Sequence, residues 1–587
     1  MSKWNLSVFY PNDEAWLKDF ELLKTEIQKF SEFEGKLGDF ENFKKYHEFD
    51  EYITKLIYKV YPYASLGSDL NLKDTEKMTK IRQVSIVLGQ LSQITSFISP
   101  EIISLGREKV MSFVEQDEFL KPYKFPYEKL FRGESHVLSS KEESVISNYA
   151  PIGNVAAQLY QSLAVIDRTD KTITLSNGKE VLVTQAGYRA LIEEADNAID
   201  RELIFKTLYE RYVDNKSAFA ETYNLVLQRA NANVKNRKYE SALDAALFGN
   251  NIPKSVFLNL KDAAYENTAP LKRYIEIRKK ALGIKDYKTW DRFIPLAKND
   301  KKYPYEQAKQ LFLESIKNFP AEFVKNQIEA VADGYVDAYP QDGKRTGAYS
   351  SSMYGHHPFI LLNHNDTLDS VFTLAHEAGH SAHSIFSDAA QPMPISDYTI
   401  FVAEIASTFN EHALLDYLLT KAETKEEKIE LLTMSIDNIH STFYRQTLFA
   451  TYEYEANKLV EEGKPINDAV LSKIMIDLYQ HYYGLDITKE PGKQYVWAYI
   501  PHLFRTPFYV YQYATSFSAS LKIYENIKNN VPHAFDNYIA MLKTGGSMYP
   551  VDEAKIAGAD LTDKNTFLAV VNRLESLLDQ LEAVLNS

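Results

Sequence analysis

Cysteine is absent from this chain of 587 residues. The absence excludes disulfide bonds, zinc held by thiolates and catalysis by a nucleophilic thiol. Basic charge is also scarce: 66 lysines and arginines stand against 80 aspartates and glutamates, and the net charge is −14. Because no long block of lysine and arginine offsets this excess, nucleic acid is not expected as a partner.

Long hydrophobic runs are missing as well. No stretch reaches the roughly 18 consecutive apolar residues that suggest a membrane-spanning helix, so no membrane partner is expected. The first residues, 1–6, contain no apolar core of the kind found in signal peptides. We therefore expect a soluble, cytoplasmic protein. The sequence does not fix the oligomeric state, and a monomer is compatible with it.

Glycine and proline are few, with 22 and 21 residues, whereas helical patterns are long. Amphipathic patterns with apolar side chains every three or four positions cover residues 14–34, 41–62, 73–97 and 101–116. A chain of this length can bury a large core and is expected to form more than one lobe. We place an N-terminal helical lobe in residues 1–190 and a second domain, which carries the chemistry, in residues 191–587.

Two segments interrupt the helical pattern. Residues 172–188 contain two alternating runs on either side of Asn177-Gly178, which predicts a β-hairpin. Residues 331–363 form a second β-rich segment, with a strand expected directly after a proline. The free edge of such a strand could pair with an extended peptide, but the strand could equally be ordinary core, and the sequence does not decide between the two.

The sequence His-Glu-x-x-His at positions 376–380 lies within an apolar, helix-like segment. Residues four apart share one face of an α-helix, so His376 and His380 can direct two ring nitrogens at one point. This arrangement suits Zn²⁺, which binds histidine nitrogen at about 2.0–2.1 Å. Glu377 can reach a water molecule on the metal without being a ligand. Such polar side chains in a buried helix are costly unless they are paired or bind metal.

A catalytic zinc site needs a third protein ligand, for which two residues compete. His383 shares the helical face but would lie about 7–8 Å too far along the axis. Glu404 is preferred, because prolines end the first helix and a second helical pattern then carries Glu404. Two histidines and one glutamate leave the fourth position open. The sequence thus predicts one zinc ion per chain, bound by His376, His380 and Glu404.

Other polar residues near the motif leave alternatives open. Glu411, two turns after Glu404, could hydrogen-bond a ligand histidine, or it could be a surface charge together with His412. His356 and His357 precede the predicted strand and are either substrate contacts or surface residues. We do not expect either of these two histidines to bind metal.

Motifs spread along most of the chain carry a resemblance to a known family. They lie at residues 130–139, 343–349, 357–363, 376–381, 401–408 and 500–515. These segments resemble the zinc metallopeptidase family of thimet oligopeptidase and oligoendopeptidase F, and the match to oligoendopeptidase F is closer. The resemblance implies a mainly α, two-lobed zincin-type fold. It also implies a small β-sheet beside the metal-binding helix and a deep channel that admits short peptides and excludes folded proteins.

The resemblance further implies that His502, Tyr509 and Tyr511 are catalytic and stabilise the oxyanion of the transition state. The interval from His502 to Tyr509 is shorter than in thimet oligopeptidase and contains Arg505 and Pro507. The choice between the two tyrosines therefore stays open.

We expect a zinc-dependent endopeptidase that hydrolyses internal bonds of short oligopeptides. Zinc would lower the pKa of its bound water to about 7, and Glu377 would take the proton as general base and pass it to the leaving amine. One competing function is a module that binds peptides without cleaving them, which would need neither Glu377 nor an open metal position. Another is an exopeptidase, which would need a charged anchor for a chain terminus.

Overall fold

A computed structural model describes residues 3–149 and 152–587. The structure is about 70% helical, with two small sheets, and confirms the mainly α fold class. No helix among the described residues is long and apolar enough to cross a membrane.

The α-helices are numbered in chain order. The first fourteen are α1 (Asp13–Glu26), α2 (Phe40–Asp69), α3 (Thr75–Ile94), α4 (Ile98–Leu105), α5 (Arg107–Gln116), α6 (Lys124–Arg132), α7 (Ser140–Ser147), α8 (Val155–Gln161), α9 (Tyr188–Glu194), α10 (Ala198–Asp214), α11 (Lys216–Arg237), α12 (Ala242–Phe248), α13 (Lys254–Glu266) and α14 (Ala269–Leu282).

The helices of the C-terminal half follow. They are α15 (Tyr305–Ile316), α16 (Ala321–Ala330), α17 (Leu368–Ala390), α18 (Ile400–Lys421), α19 (Lys425–Ile439), α20 (Arg445–Glu461), α21 (Asp468–Tyr483), α22 (Val496–Tyr499), α23 (Pro501–Arg505), α24 (Tyr511–Lys528), α25 (Ala534–Leu542), α26 (Pro550–Ile556) and α27 (Lys564–Asn586).

The chain divides into two compact units, each built from separated segments. The first unit contains Met1–Ser135, Lys301–Leu418 and Ile523–Ala559. The second contains His136–Asp300, Leu419–Lys522 and Asp560–Ser587. Residues 1–190, which we expected to form one N-terminal lobe, therefore contribute to both units. The boundary near residue 190 stays a prediction about domain organisation.

The N-terminal helices have the core that their periodicity predicts. Trp16, Phe20 and Leu23 of α1 are buried, and the Trp16 ring stacks on Phe20 with 5.1 Å between centroids. The Trp16 indole N–H donates to the carbonyl of Val60 on α2 at 3.0 Å, so its polar atom is satisfied within the core. The predicted helix over 101–116 is interrupted, because Gly106 adopts a φ of 80° between α4 and α5.

The hairpin predicted around Asn177-Gly178 is present in the second unit. Strands β1 (Lys171–Thr174) and β2 (Glu180–Val183) pair antiparallel. Gly178 has a φ of 82° in the connecting turn, a value that is disfavoured for residues other than glycine. The local turn chemistry is therefore sufficient to set this element.

A three-stranded sheet lies in the first unit. Its strands are β3 (Val336–Asp337), β4 (Tyr349–Ser351) and β5 (Phe359–Leu361), in the order β3-β5-β4. The strand predicted after the proline is β5, which is central and buried, so it is a core strand. The two edge strands are β3 and β4, of which β4 pairs antiparallel with β5 and packs against α17.

Candidate metal centre

Helix α17 holds the two histidines of the sequence motif. It begins at Leu368, where the Thr367 side chain accepts a hydrogen bond from the Ser370 N–H and caps the helix. The helical repeat places His376 and His380 on one face, and their Nε2 atoms lie 3.2 Å apart. Both ring nitrogens therefore lie at the same small volume.

Helix α18 brings Glu404 to these two nitrogens. Its Oε2 atom lies 3.3 Å from His376 Nε2 and 3.6 Å from His380 Nε2. Two ligands of a tetrahedral zinc ion are separated by about 3.3 Å when each bond is about 2.0–2.1 Å long. The donor set and its spacing therefore fit zinc. Among the described residues, these three side chains form the group whose ligand atoms all lie within 4.8 Å of one another.

A glycine allows α18 to approach α17 this closely. A Cβ atom on Gly379 would lie 2.5 Å from the Ala406 carbonyl oxygen and 2.6 Å from Ser407 Cα. Side-chain bonds hold the approach in place: Asn410 of α18 donates to the carbonyl of Ala375 on α17 at 2.9 Å. The position of Glu404 thus depends on helix packing and not on α18 alone.

Two hydrogen bonds orient the ligand side chains. His376 Nδ1 lies 2.6 Å from Glu411 Oε1, which holds the proton on Nδ1 and leaves the Nε2 lone pair for a metal. The Ser407 hydroxyl donates to Glu404 Oε2 at 2.9 Å. The structure therefore supports Glu411 as the partner of a ligand histidine rather than as a surface charge.

Glu377 lies next to the ligand set on α17 and is not itself one of the three converging side chains. Its side chain is largely buried, with 7% of the residue exposed. Burial raises the pKa of Glu377 to about 7, and the backbone N–H of Ser350 on β4 opposes this rise by hydrogen bonding. The carboxylate thus lies beside the edge strand of the sheet.

The other histidines near the motif pack against aromatic side chains. His383 is 1% exposed and stacks on Tyr398 with 3.6 Å between centroids. Burial lowers its pKa to about 3. His357 stacks on Tyr335, and His356 packs against Phe9.

His412, which could have been a surface residue, is buried. Its ring centroid lies 5.8 Å from that of Tyr524. None of these four histidines belongs to the metal-binding group found among the described residues.

His502 and Tyr509 lie in the second unit, whereas the metal-binding residues lie in the first. The two rings are nearly parallel, with 5.9 Å between centroids, and both meet the edge or face of Tyr513. Tyr511 is 2% exposed and packs against Phe257 in the core of this unit. The structure therefore groups Tyr509 with His502, and it places the Tyr511 ring against Phe257. Tyr513 was not foreseen from the sequence, although it follows Tyr509 by four residues.

The loop between His502 and Tyr509 is held by a residue that sequence reasoning missed. Glu453 of α20 is buried and accepts the backbone N–H of Phe508 at 2.6 Å. Phe508 has a φ of 54°, a left-handed conformation that is strained for this residue. Glu453 precedes Phe508 by 55 positions, and no local motif marks it.

Comparisons with known proteins identify the family of this chain. A family model described as peptidase family M3 matches residues 191–573. The chain belongs to this family. A second model, described as oligopeptidase F, matches residues 101–169. The resemblance found in the sequence is thereby confirmed, and the chain is that of a peptidase.

Curated relatives and solved structures match over nearly the full length. Oligopeptidase PepF of Bacillus subtilis is 33% identical, covering 99% of this chain and 87% of the relative. An oligoendopeptidase F homolog of Borreliella burgdorferi is 34% identical, covering 99% and 98%. The crystal structure of oligoendopeptidase-F from Enterococcus faecium has a TM-score of 0.75 and 29% identity, covering 98% of this chain and 99% of that chain.

Proposed function

We propose that this peptidase is a zinc-dependent endopeptidase that cleaves internal bonds of short oligopeptides. The observation that carries the proposal is the convergence of His376, His380 and Glu404 at tetrahedral ligand spacing, with Glu377 on the same helix. The names of the relatives, oligopeptidase and oligoendopeptidase, support the substrate class and cleavage within the peptide.

His376, His380 and Glu404 would hold one zinc ion per chain. Zinc bound there would act as a Lewis acid, lowering the pKa of water to about 7 and polarising a peptide carbonyl. Glu411 keeps the proton on His376 Nδ1, so that Nε2 stays available as a ligand atom. Ser407 orients the Glu404 carboxylate through its hydroxyl.

Glu377 is proposed as the general base. Its carboxylate would accept a proton from the attacking water and deliver that proton to the leaving amine nitrogen. A substrate backbone is proposed to pair with the free edge of β4, the strand whose Ser350 N–H faces Glu377. This pairing would place the scissile bond beside the base.

Stabilisation of the oxyanion is proposed for His502 and Tyr509, on the basis of the sequence resemblance. Tyr509 is preferred to Tyr511, because Tyr509 stacks with His502 whereas the Tyr511 ring is buried against Phe257. A cytoplasmic location remains a prediction that cell fractionation would test.

The experiment measures zinc content and cleavage of an internally quenched peptide blocked at both ends. The parent is expected to contain one zinc per chain and to cleave the peptide, while Glu377→Gln keeps the zinc and loses nearly all cleavage. Zinc without cleavage in the parent would favour a peptide-binding module. Cleavage of free-ended peptides alone would favour an exopeptidase.

Two further variants test the ligand assignment. Glu404→Ala is expected to lose most of its zinc, because it removes the third ligand. His383→Ala is the matched control, since His383 lies one turn from His380 but is stacked on Tyr398. It should bind zinc almost normally, and an empty site in His383→Ala would overturn the assignment.

A further inference from the structure

The second unit contains a cavity of about 100 Å³ that plays no part in the proposed hydrolysis. Its wall is rich in aromatic side chains, among them Tyr479 and Tyr499. Arg292, Arg445 and Lys493 also line it. Three cationic side chains around one small enclosed space are unusual in a chain whose net charge is −14.

These three cations are close enough to repel one another. Lys493 is 7% exposed, and burial together with the charge of Arg445 lowers its pKa to about 7. Burial and Arg445 likewise lower the pKa of Arg292. Among the described residues, no carboxylate oxygen lies within 4.0 Å of a charged nitrogen of these three side chains.

Two carboxylates near these cations hydrogen-bond to other residues. Asp437, which also lines the cavity, accepts the hydroxyl of Tyr274 at 3.1 Å. Glu490 accepts the backbone N–H of Thr289 at 2.8 Å as well as its hydroxyl. The charge of Asp437 favours the protonated form of Arg292, and the charge of Glu490 favours that of Lys493. Two carboxylates therefore face three buried cations, and an anion in the cavity would neutralise the remaining positive charge.

The donors in the cavity suit an anion with several oxygens. Within the described residues, Arg445 donates no side-chain hydrogen bond, so its guanidinium is available to the cavity. A guanidinium binds two oxygens of a phosphate or carboxylate side by side. Lys493 and Arg292 add charge, and the volume admits a phosphate-sized group.

The backbone conformation beside the cavity also supports a specific binding site. Residues His440–Tyr444 form one turn of π-helix between α19 and α20. His440, the first residue of this turn, and Arg445, the residue that follows the turn, both line the cavity. Single π-helical turns inside α-helices occur frequently at functional sites.

We propose that this cavity binds a small free oxyanion of the phosphate type, with Arg445, Arg292 and Lys493 as its ligands. Tyr499 lines the cavity and lies two residues before α23, which carries His502.

The test is thermal unfolding of the zinc-loaded protein against inorganic phosphate, with ionic strength held constant by sodium chloride. The parent is expected to show a saturable rise in Tm. Arg445→Gln should weaken phosphate binding by about ten- to a hundredfold, the usual effect of losing a hydrogen bond to a charged group. The same variant should unfold at an equal or higher temperature without phosphate, since it removes a repelling charge.

Lys473→Gln is the matched control, because Lys473 lies on α21 with Tyr479 but its side chain is 71% exposed. It should keep the saturable rise. No saturable rise in the parent, or a rise that survives in Arg445→Gln, would overturn the proposal; the second result would indicate binding elsewhere, such as at the zinc. Glu404→Ala distinguishes this case, since phosphate binding in the cavity should persist in that variant.

Discussion

The Cα atom of Ser407 lies 2.6 Å from the place that a Cβ atom on Gly379 would occupy. Side chains do not tolerate so short a distance, so the contact exists because residue 379 is a glycine. Gly379 lies between Glu377 and His380 on α17, and Ser407 lies three residues after Glu404 on α18. This close approach, together with the contact to the Ala406 carbonyl, therefore controls the distance between the histidines and the third ligand.

Gly379→Ala is expected to lose most of its bound zinc. The added methyl group must push α18 away, whereas a metal site requires ligand distances within about 0.2 Å of their ideal values. Zinc per chain, measured by mass spectrometry after dialysis, checks the prediction. Gly89→Ala is the control, because Gly89 is within α3 and has nothing within 4 Å of a new Cβ. It should keep its zinc and gain up to about 1 kcal/mol in stability.

Glu411→Gln is expected to weaken zinc binding by about ten- to a hundredfold. The variant keeps an oxygen near His376 Nδ1 but removes the negative charge that fixes the ring and raises its basicity. Competition with a chelator of known affinity measures the change. Asp416→Asn removes a charge from the same helix, where Asp416 binds Tyr524, and should leave zinc affinity unchanged. Equal affinity in parent and Glu411→Gln would remove Glu411 from the site.

Tyr509→Phe and Tyr511→Phe are expected to separate catalysis from packing. Loss of one donor to an oxyanion lowers kcat by about 10²–10³, and Tyr509 is the tyrosine that stacks with His502. Tyr511→Phe should leave kcat near that of the parent, because the ring keeps its contact with Phe257. Loss of the hydroxyl should cost about 1 kcal/mol in stability. The reverse pattern would assign the oxyanion to Tyr511.

The parts of the site that the sequence predicts are those set by a helix repeat or a turn. His376 and His380 are four residues apart, so their convergence requires only that α17 be helical. The hairpin around Asn177-Gly178 is likewise determined by its own turn. Glu404 could be chosen because the alternative, His383, lies too far along the same helix. In each case the residues that determine the geometry lie in one element or in two elements that are adjacent in sequence.

The parts that could not be foreseen depend on packing between distant segments. Nothing near Glu453 indicates that it holds the backbone of Phe508, 55 residues later. The three cations of the cavity come from separate segments, and only the folded second unit brings them together. The division of residues 1–190 between two units has the same origin, since the segments that complete each unit lie far along the chain.

Glu453 gives the second unit a stability that depends on pH. The side chain is 2% exposed, and burial raises its pKa to about 8, while the Phe508 N–H opposes the rise. In the unfolded chain the pKa is near the ordinary value of 4.5. The folded state therefore binds this proton more tightly, and the stabilisation is complete below about pH 4.5 and is lost as pH rises towards 8.

Glu453→Gln should remove this dependence, because glutamine keeps an acceptor for Phe508 and does not ionise. The free energy of unfolding of the parent, minus that of the variant, is expected to fall by about 1.4 kcal/mol per pH unit between pH 5 and pH 8. Urea titrations at pH 5, 6, 7 and 8 measure the difference, in which effects shared by both proteins, such as zinc loss at low pH, cancel. A difference that stays constant over this range would mean that Glu453 is already ionised in the folded protein.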